Sequence, residues 1–319
     1  MKRICLFCII TIMAMAYANA QQISVVSPGG ETTLYTDLNL AIQGAQAGST
    51  VYLSGGGFQI SDATKITKKL TIMGVGHRVD NGNTNVGGNF WFEEGSDGSS
   101  VMGIYLGGNI NIGTSTNAVN NFLLRFCNVG EVFVRNSNCQ GVLINQNYIR
   151  GSLLGTNSAV SITNNVILAI SNINAGIIDN NIITFAPGFG SYTLSNVSDS
   201  QIRNNIIFQH RDNIHTGSAC LVSNNLLTRG WGDNCCVVTS LNDVFVGPNN
   251  GVNPNSNFQL KEGLWKTGAT DGGEIGIYGG TGFKDTALPP GPRIVASKIA
   301  DQTDASGNLS VEITVSVEQ

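Results

Sequence analysis

Charge is scarce in this chain. Asp, Glu, Lys and Arg together make up 12% of its 319 residues, while 41% are hydrophobic. An intrinsically disordered tail needs the opposite balance and is excluded. Basic residues number 17 against 21 acidic ones. That excludes a surface built to neutralise nucleic-acid phosphates. The shortage is uneven: no Lys occurs between Lys69 and Lys261, and no Glu between Glu131 and Glu262. Helical periodicity of useful length is absent from residues 49–282. The N-terminal apolar run Ile4–Ala16 is too short to cross a bilayer.

That run reads as a secretory signal. Lys2 and Arg3 supply its positive end, and Ala18-Asn19-Ala20 a small-x-small cleavage site. Residues 1–20 are therefore set aside, and the mature chain is expected to begin at Gln21 in the periplasm, on the outer surface or outside the cell. Without Lys2 and Arg3 the basic residues fall to 15 against 21 acidic, a balance that favours solubility without naming a partner. Five cysteines survive cleavage: Cys127, Cys139, Cys220, Cys235 and Cys236. Export permits disulfides, but the number is odd and the spacing matches no metal site. Cys220 fills an apolar position and reads as a small buried hydrophobe. Cys235 and Cys236 read as two unrelated thiols or, alternatively, a strained vicinal bridge.

What the chain does have is a phrase repeated five times between Val142 and Leu227: apolar, x, apolar, x, x, Asn, x, apolar. The Asn positions are Asn147, Asn165, Asn181, Asn205 and Asn225, 16 to 24 residues apart, and in the last four copies the Asn is the second of an Asn-Asn pair. The two apolar residues before it are two apart and face one side of a strand. Asn tolerates the left-handed conformation of a sharp turn. The residues that follow begin a second strand. Coils of this kind stack as parallel strands and share one interior, and the stacked Asn side chains form a structural ladder. A leucine-rich repeat shares the core phrase. It is rejected because no helix pattern lies between copies, the intervals vary too widely, and the residues after each Asn are β-formers.

The flanks complete an all-β solenoid. Residues 21–48 read as a lead-in strand and a cap helix of about three turns. Leu34, Leu38, Ile42 and Ala45 form its inner face, Thr33 or Thr36 its cap and Gly48 its stop. Residues 49–282 read as the coil, with 74–100 as a long loop and Trp91 and Trp265 in local cores. Residues 283–319 read as a linker and a C-terminal β tail, where Ile294–Ile299 and the alternating Leu309–Glu318 can pair as a hairpin. On the outer surface, Asp179 and Arg203 fall on successive coils, as an ordinary ladder ion pair. The column Leu143, Ser161, Ile177, Gln201, Leu221 is apolar enough to need a cover or to serve as a contact surface.

The cap helix with Ala47-Gly48-Ser49-Thr50-Val51-Tyr52-Leu53, the segment Leu70-Thr71-Ile72-Met73-Gly74, the Asn-Asn coils and the closing Glu274-Ile275-Gly276-Ile277-Tyr278-Gly279 resemble the exported right-handed parallel β-helix proteins of the pectin-lyase-like superfold. The closing phrase with the alternating tail is similar to uncharacterised exported members from Bacteroidota-type bacteria. The resemblance implies the fold across most of residues 34–280. It leaves activity open, because this superfold hosts lyases, hydrolases, adhesins and inert scaffolds.

A uronate lyase needs a carboxylate-neutralising centre and a base, and a glycoside hydrolase needs facing carboxylates. Across residues 132–242 the acids are Asp179, Asp199, Asp212 and Asp233, and no two share a position on adjacent coils. The best catalytic trio is His210, Arg211 and Asp212 with His215 nearby, and a polar loop is the plainer reading of it. Sugar contact needs only aromatic faces and hydroxyl-fixing groups. Phe189, Tyr192, Arg211 and Trp231 are the candidates, the first two in the longest inter-coil segment. The sequence thus favours a structural, adhesive or glycan-contacting module without a cofactor or metal, whose partner is a polysaccharide or cell-surface glycan. The alternatives are a polysaccharide lyase or glycoside hydrolase with an atypical site, and an assembly subunit that self-associates through its tail strand.

Overall fold

In each copy of the repeat the residue just before the ladder Asn takes the turn. Gln146, Asn164, Asn180, Asn204 and Asn224 all have φ between 53° and 57°, the left-handed region that Asn tolerates best. The left-handed position is thus the first residue of each pair, not the ladder Asn itself. The computed structural model describes residues 22–78, 82–184, 192–208, 214–240, 244–247, 256–299, 302, 306 and 311–318. It is nearly all β, a solenoid of about eight turns with one short α-helix.

Three strand stacks run along the solenoid. The first face holds Ser49–Leu53, Leu70–Met73, Ser100–Met102, Leu123–Arg125, Val142–Asn145, Val160–Thr163, Ile177–Asp179, Gln201–Arg203 and Leu221–Ser223, all paired in parallel. The Asn turns lead from it to the second face, which begins at Gly56–Gln59 and ends at Cys236–Val237. A third face carries Phe90–Phe92, Ile110–Ile112, Val132–Val134, the far ends of the long strands Tyr148–Ser158 and Val166–Asn174, then Leu194–Ser198 and Ile214–Thr216. Residues 74–100, read from sequence as a loop, therefore contain strands Thr84–Gly87 and Phe90–Phe92.

Alternation along each strand fills the interior. Val142, Ile144 and Ile149, with Val160, Ile162 and Ile167 one coil on, are buried in one continuous core. Fully burying each such side chain contributes about 1.5–3 kcal/mol. The ladder amides lie among them with no solvent exposure. The backbone N and Nδ2 of Asn165 both donate to Asn181 Oδ1, at 2.9 and 3.1 Å, and its Nδ2 also reaches the carbonyls of Ile144 and Thr163. The same set repeats from Asn147 to Asn225. Cysteines occupy both ends: Cys127 N donates to Asn147 Oδ1, and Asn225 N donates to Cys235 Sγ. All five described cysteines are free.

The N-terminal end is closed by strands Ile23–Val26 and Thr32–Tyr35, which add antiparallel to Ser49–Leu53, and by the helix Leu38–Gly44. The expected three-turn helix is thus corrected to seven residues. Asp37 caps it, its side chain accepting from Leu40 N at 3.0 Å. Leu34 lies in a strand and is 59% exposed. The run Thr32-Thr33-Leu34-Tyr35 favours a strand that covers a sheet edge over an extra helical turn.

Past Cys236–Val237 the described chain no longer coils. Its residues run back along the outside of the second face as a strap. Gly268 O meets Asn224 Nδ2, Thr270 meets Asn204, Ile277 and Gly279 carbonyls meet Asn164 Nδ2, and Lys284 N meets Gln146 Oε1. Gly279 must be glycine, because a Cβ there would collide with the backbone carbonyl oxygen of Glu274. Under the strap, outward side chains Tyr148, Val166, Ile182, Ile206 and Leu226 form a second core with Phe245, Phe258, Leu260, Ile275, Ile277 and Phe283. The apolar column expected to need a cover is a different one: Leu143, Ile177 and Leu221 stay 37%, 38% and 70% exposed. The tail Gly291–Ile299 and Val311–Glu318 forms an antiparallel hairpin that pairs only with itself among the described strands.

A chain ending at residue 292 is expected to melt as the full chain does. One ending at residue 255 re-exposes five large apolar side chains, worth about 1.5 kcal/mol or more each. It is expected to melt roughly 10 °C lower or to aggregate; equal melting of the two truncations would contradict the role of the strap.

Candidate functional site

Four sequence-predicted site residues, Phe189, His210, Arg211 and Asp212, lie outside the described residues. Tyr192 is 43% exposed just before the third-face strand Leu194–Ser198. Trp231 is partly buried against the main core at the last coil. The backbone of His215 lies opposite Ser195 on the third face.

The third face carries a surface that the sequence reading did not single out. Phe90 and Phe92 point inward and are fully buried, so the pleat turns Trp91 outward. Strand register then stacks Trp91, Asn111, Phe133, Leu154 and Ser171 in one column. Arg135 reaches back between the two rings, with its guanidinium carbon 5.2 Å from the Trp91 centroid and 4.5 Å from that of Phe133. Both Nε and Nη2 of Arg135 donate to Asn111 Oδ1, at 2.9 and 2.6 Å, which fixes the guanidinium plane. Lys65 Nζ lies 4.1 Å from the Trp91 ring centroid. The result is a row of alternating cations and aromatic rings along the solenoid axis. It opens on a groove of about 460 Å³ lined by Ser115, Leu154 and Thr156 as well as by Trp91, Phe133 and Arg135. At the row's end Asp62 accepts from Asn89 Nδ2 and Trp91 Nε1, and these bonds hold its carboxyl below the usual carboxylate range.

Four acids away from this row are committed to structural partners. Asp179 accepts from Arg203 Nε at 3.0 Å and from the amides of Asn180 and Asn204. Asp199 accepts from Asn174, Glu94 from Asn117, and Glu274 from Lys266. Among the described residues no group of three or more His, Cys, Asp or Glu could hold a metal ion.

A second titratable cluster lies where the strap meets the early coils. Arg78 faces Asp285 at 3.9 Å, and Tyr278 donates to the same carboxylate at 2.9 Å. Arg150 stacks on Tyr105 and donates to Asn128 Oδ1 and Leu106 O. Burial raises the Tyr148 hydroxyl to about 12. His77 is 8% exposed and its Nδ1 has no partner. Burial first, and then Arg78, lower its pKa to about 4.

Unfolded, His77 takes its proton near 6.5; folded, it refuses it until about pH 4. Between those values the unfolded chain binds more protons, so stability falls on acidification across that window and is unaffected by this group above it. The expected loss is about 3 kcal/mol, read from chemical denaturation against pH. His77→Gln is expected to remove that part of the dependence, and an unchanged pH profile in the variant would refute the assignment.

No family model, no curated protein and no solved structure matches the chain, and its functional reading rests on the surfaces just described.

Proposed function

We propose that this is an exported β-solenoid that contacts glycans through its third face and acts as a binding scaffold. The row Trp91–Arg135–Phe133 carries the reading. Sugar rings offer apolar C–H faces and a rim of hydroxyls. Flat aromatic and guanidinium groups take the first, and amides and Arg donors fix the second. Trp91 and Phe133 are two strands apart along the column, or about 10 Å at the usual strand spacing. A sugar chain laid along the axis would meet a ring at each end, with Arg135 and Asn111 between. The engagement of Asp62, Asp179, Asp199, Glu94 and Glu274 by hydrogen-bond donors supports binding over hydrolysis, since a catalytic pair must face a shared substrate.

Trp91→Ala is expected to weaken binding on a glycan array by about tenfold, a loss near 1.4 kcal/mol, with little change in melting. Retained binding in that variant would sink the third-face reading. Reducing-end release that vanishes in Asp212→Asn would instead favour the lyase or hydrolase alternative.

The self-paired hairpin Gly291–Ile299 with Val311–Glu318 supports a second reading, self-association by strand addition. Two strands alone are marginal in water and gain from a third. Deleting residues 293–319 is expected to leave a folded monomer. A full-length chain that is monomeric at every concentration tested would end this reading.

A further inference from the structure

We propose that the first face carries a separate oxyanion-binding site centred on Arg125. Arg125 ends the strand Leu123–Arg125 and stands in the outward column between Met102 and Asn145. Its guanidinium carbon lies 4.5 Å from the centroid of the Phe126 ring, and Lys284 Nζ approaches the same ring at 5.8 Å from the strap. Two cations therefore converge on one aromatic ring.

The other well-placed arginines find partners within the protein. Arg135 has Asn111, Arg150 has Asn128 and two carbonyls, and Arg203 has Asp179. Arg125 is different. Its Nε is buried and has no hydrogen-bond partner, and no described carboxylate forms an ion pair with it. Burial lowers its pKa, with no opposing charge to offset the effect. The guanidinium is only partly buried, but its buried Nε is a donor without an acceptor, which is destabilising and calls for a physical cause. A ligand that draws the guanidinium toward the groove and brings the missing acceptor is such a cause.

The space for it is present. A groove of about 370 Å³ runs from Arg125 past Asn145 and Thr163 to Asp179, walled by Gly280 and Thr281 of the strap. Thr163 Oγ1 accepts from Asn145 Nδ2 at 2.8 Å, so its own proton is free to donate into the groove. The planar guanidinium fork matches a carboxylate, sulfate or phosphate group. The site lies on a different face from the Trp91 row, and either can fail without the other.

The test uses the full mature chain and titrates inorganic phosphate and sulfate against chloride at constant ionic strength, with melting and calorimetry as readouts. In wild type a saturable, oxyanion-specific rise in melting temperature is expected. The general stabilisation by these anions, which does not saturate, should be all that remains in Arg125→Met. That variant is also expected to melt higher than wild type in chloride, because the unpaired donor is gone. Arg125→Lys keeps the charge without the fork and should bind phosphate at least several-fold more weakly. Sulfated, uronate-bearing and neutral oligosaccharides then distinguish a sugar-borne oxyanion from a free ion by whether the acidic ones compete with phosphate. The same saturable rise in Arg125→Met, or no saturable rise in wild type, would overturn the site.

Discussion

The fold depends on how pairs of side-chain amides are divided between inside and outside. At the five Asn turns between the first and second faces the ladder Asn points in and the residue before it points out. The inner amide is fully buried, and its hydrogen bonds tie one coil to the next. A buried amide without partners costs about 1–3 kcal/mol, so each ladder position is strongly destabilising alone and stabilising in register. That dependence sets the stacking of successive coils more sharply than apolar packing, which tolerates small slips. The outer amides of Gln146, Asn164, Asn204 and Asn224 hold the strap.

This division shapes the available surface. The second face turns Tyr148, Val166, Ile182, Ile206 and Leu226 outward, a strip too apolar to face water. The strap covers it, and that face is lost as a place for a ligand. Function is left to the first and third faces, whose outward columns mix polar, aromatic and cationic side chains with the exposed Leu143, Ile177 and Leu221. The scarcity of acids now has a structural counterpart, because Asp62, Asp179, Asp199 and Glu94 are each held by hydrogen-bond donors. Both candidate surfaces are instead built around arginine, one satisfied by Asn111 and one left with an open donor.

Much of the coil was legible in the sequence because its rule is local. Alternation before each Asn places Val142 and Ile144 inside, and β-formers after it begin a second strand. The strap was not legible, since residues 256–288 have no periodicity and meet partners more than a hundred residues away, as Thr281 meets Asn164. Yet one signal was there: the doubling of Asn in four copies, which a ladder alone does not require. The spacing of Leu34 from Leu38 and Ile42 fits the helix, but edge pairing with Ile23–Val26 wins. Trp91 reads as part of a local core from its neighbours, although alternation along Phe90-Trp91-Phe92 puts it on the opposite side. Phe189, His210, Arg211 and Asp212 lie outside the described residues, and the third-face surface and first-face groove depend on stacking across coils that no local motif announces.

Hydrogen exchange on Asn164→Ala and Asn165→Ala, side by side, tests the central claim most directly. Loss of the outer amide should speed exchange in residues 268–284 and leave the coil strands as protected as before. Loss of the inner amide should speed exchange in strands Val142–Asn145 and Ile177–Asp179 on either side of the substituted coil. The same exchange pattern in both variants would contradict the division of labour within the Asn pair.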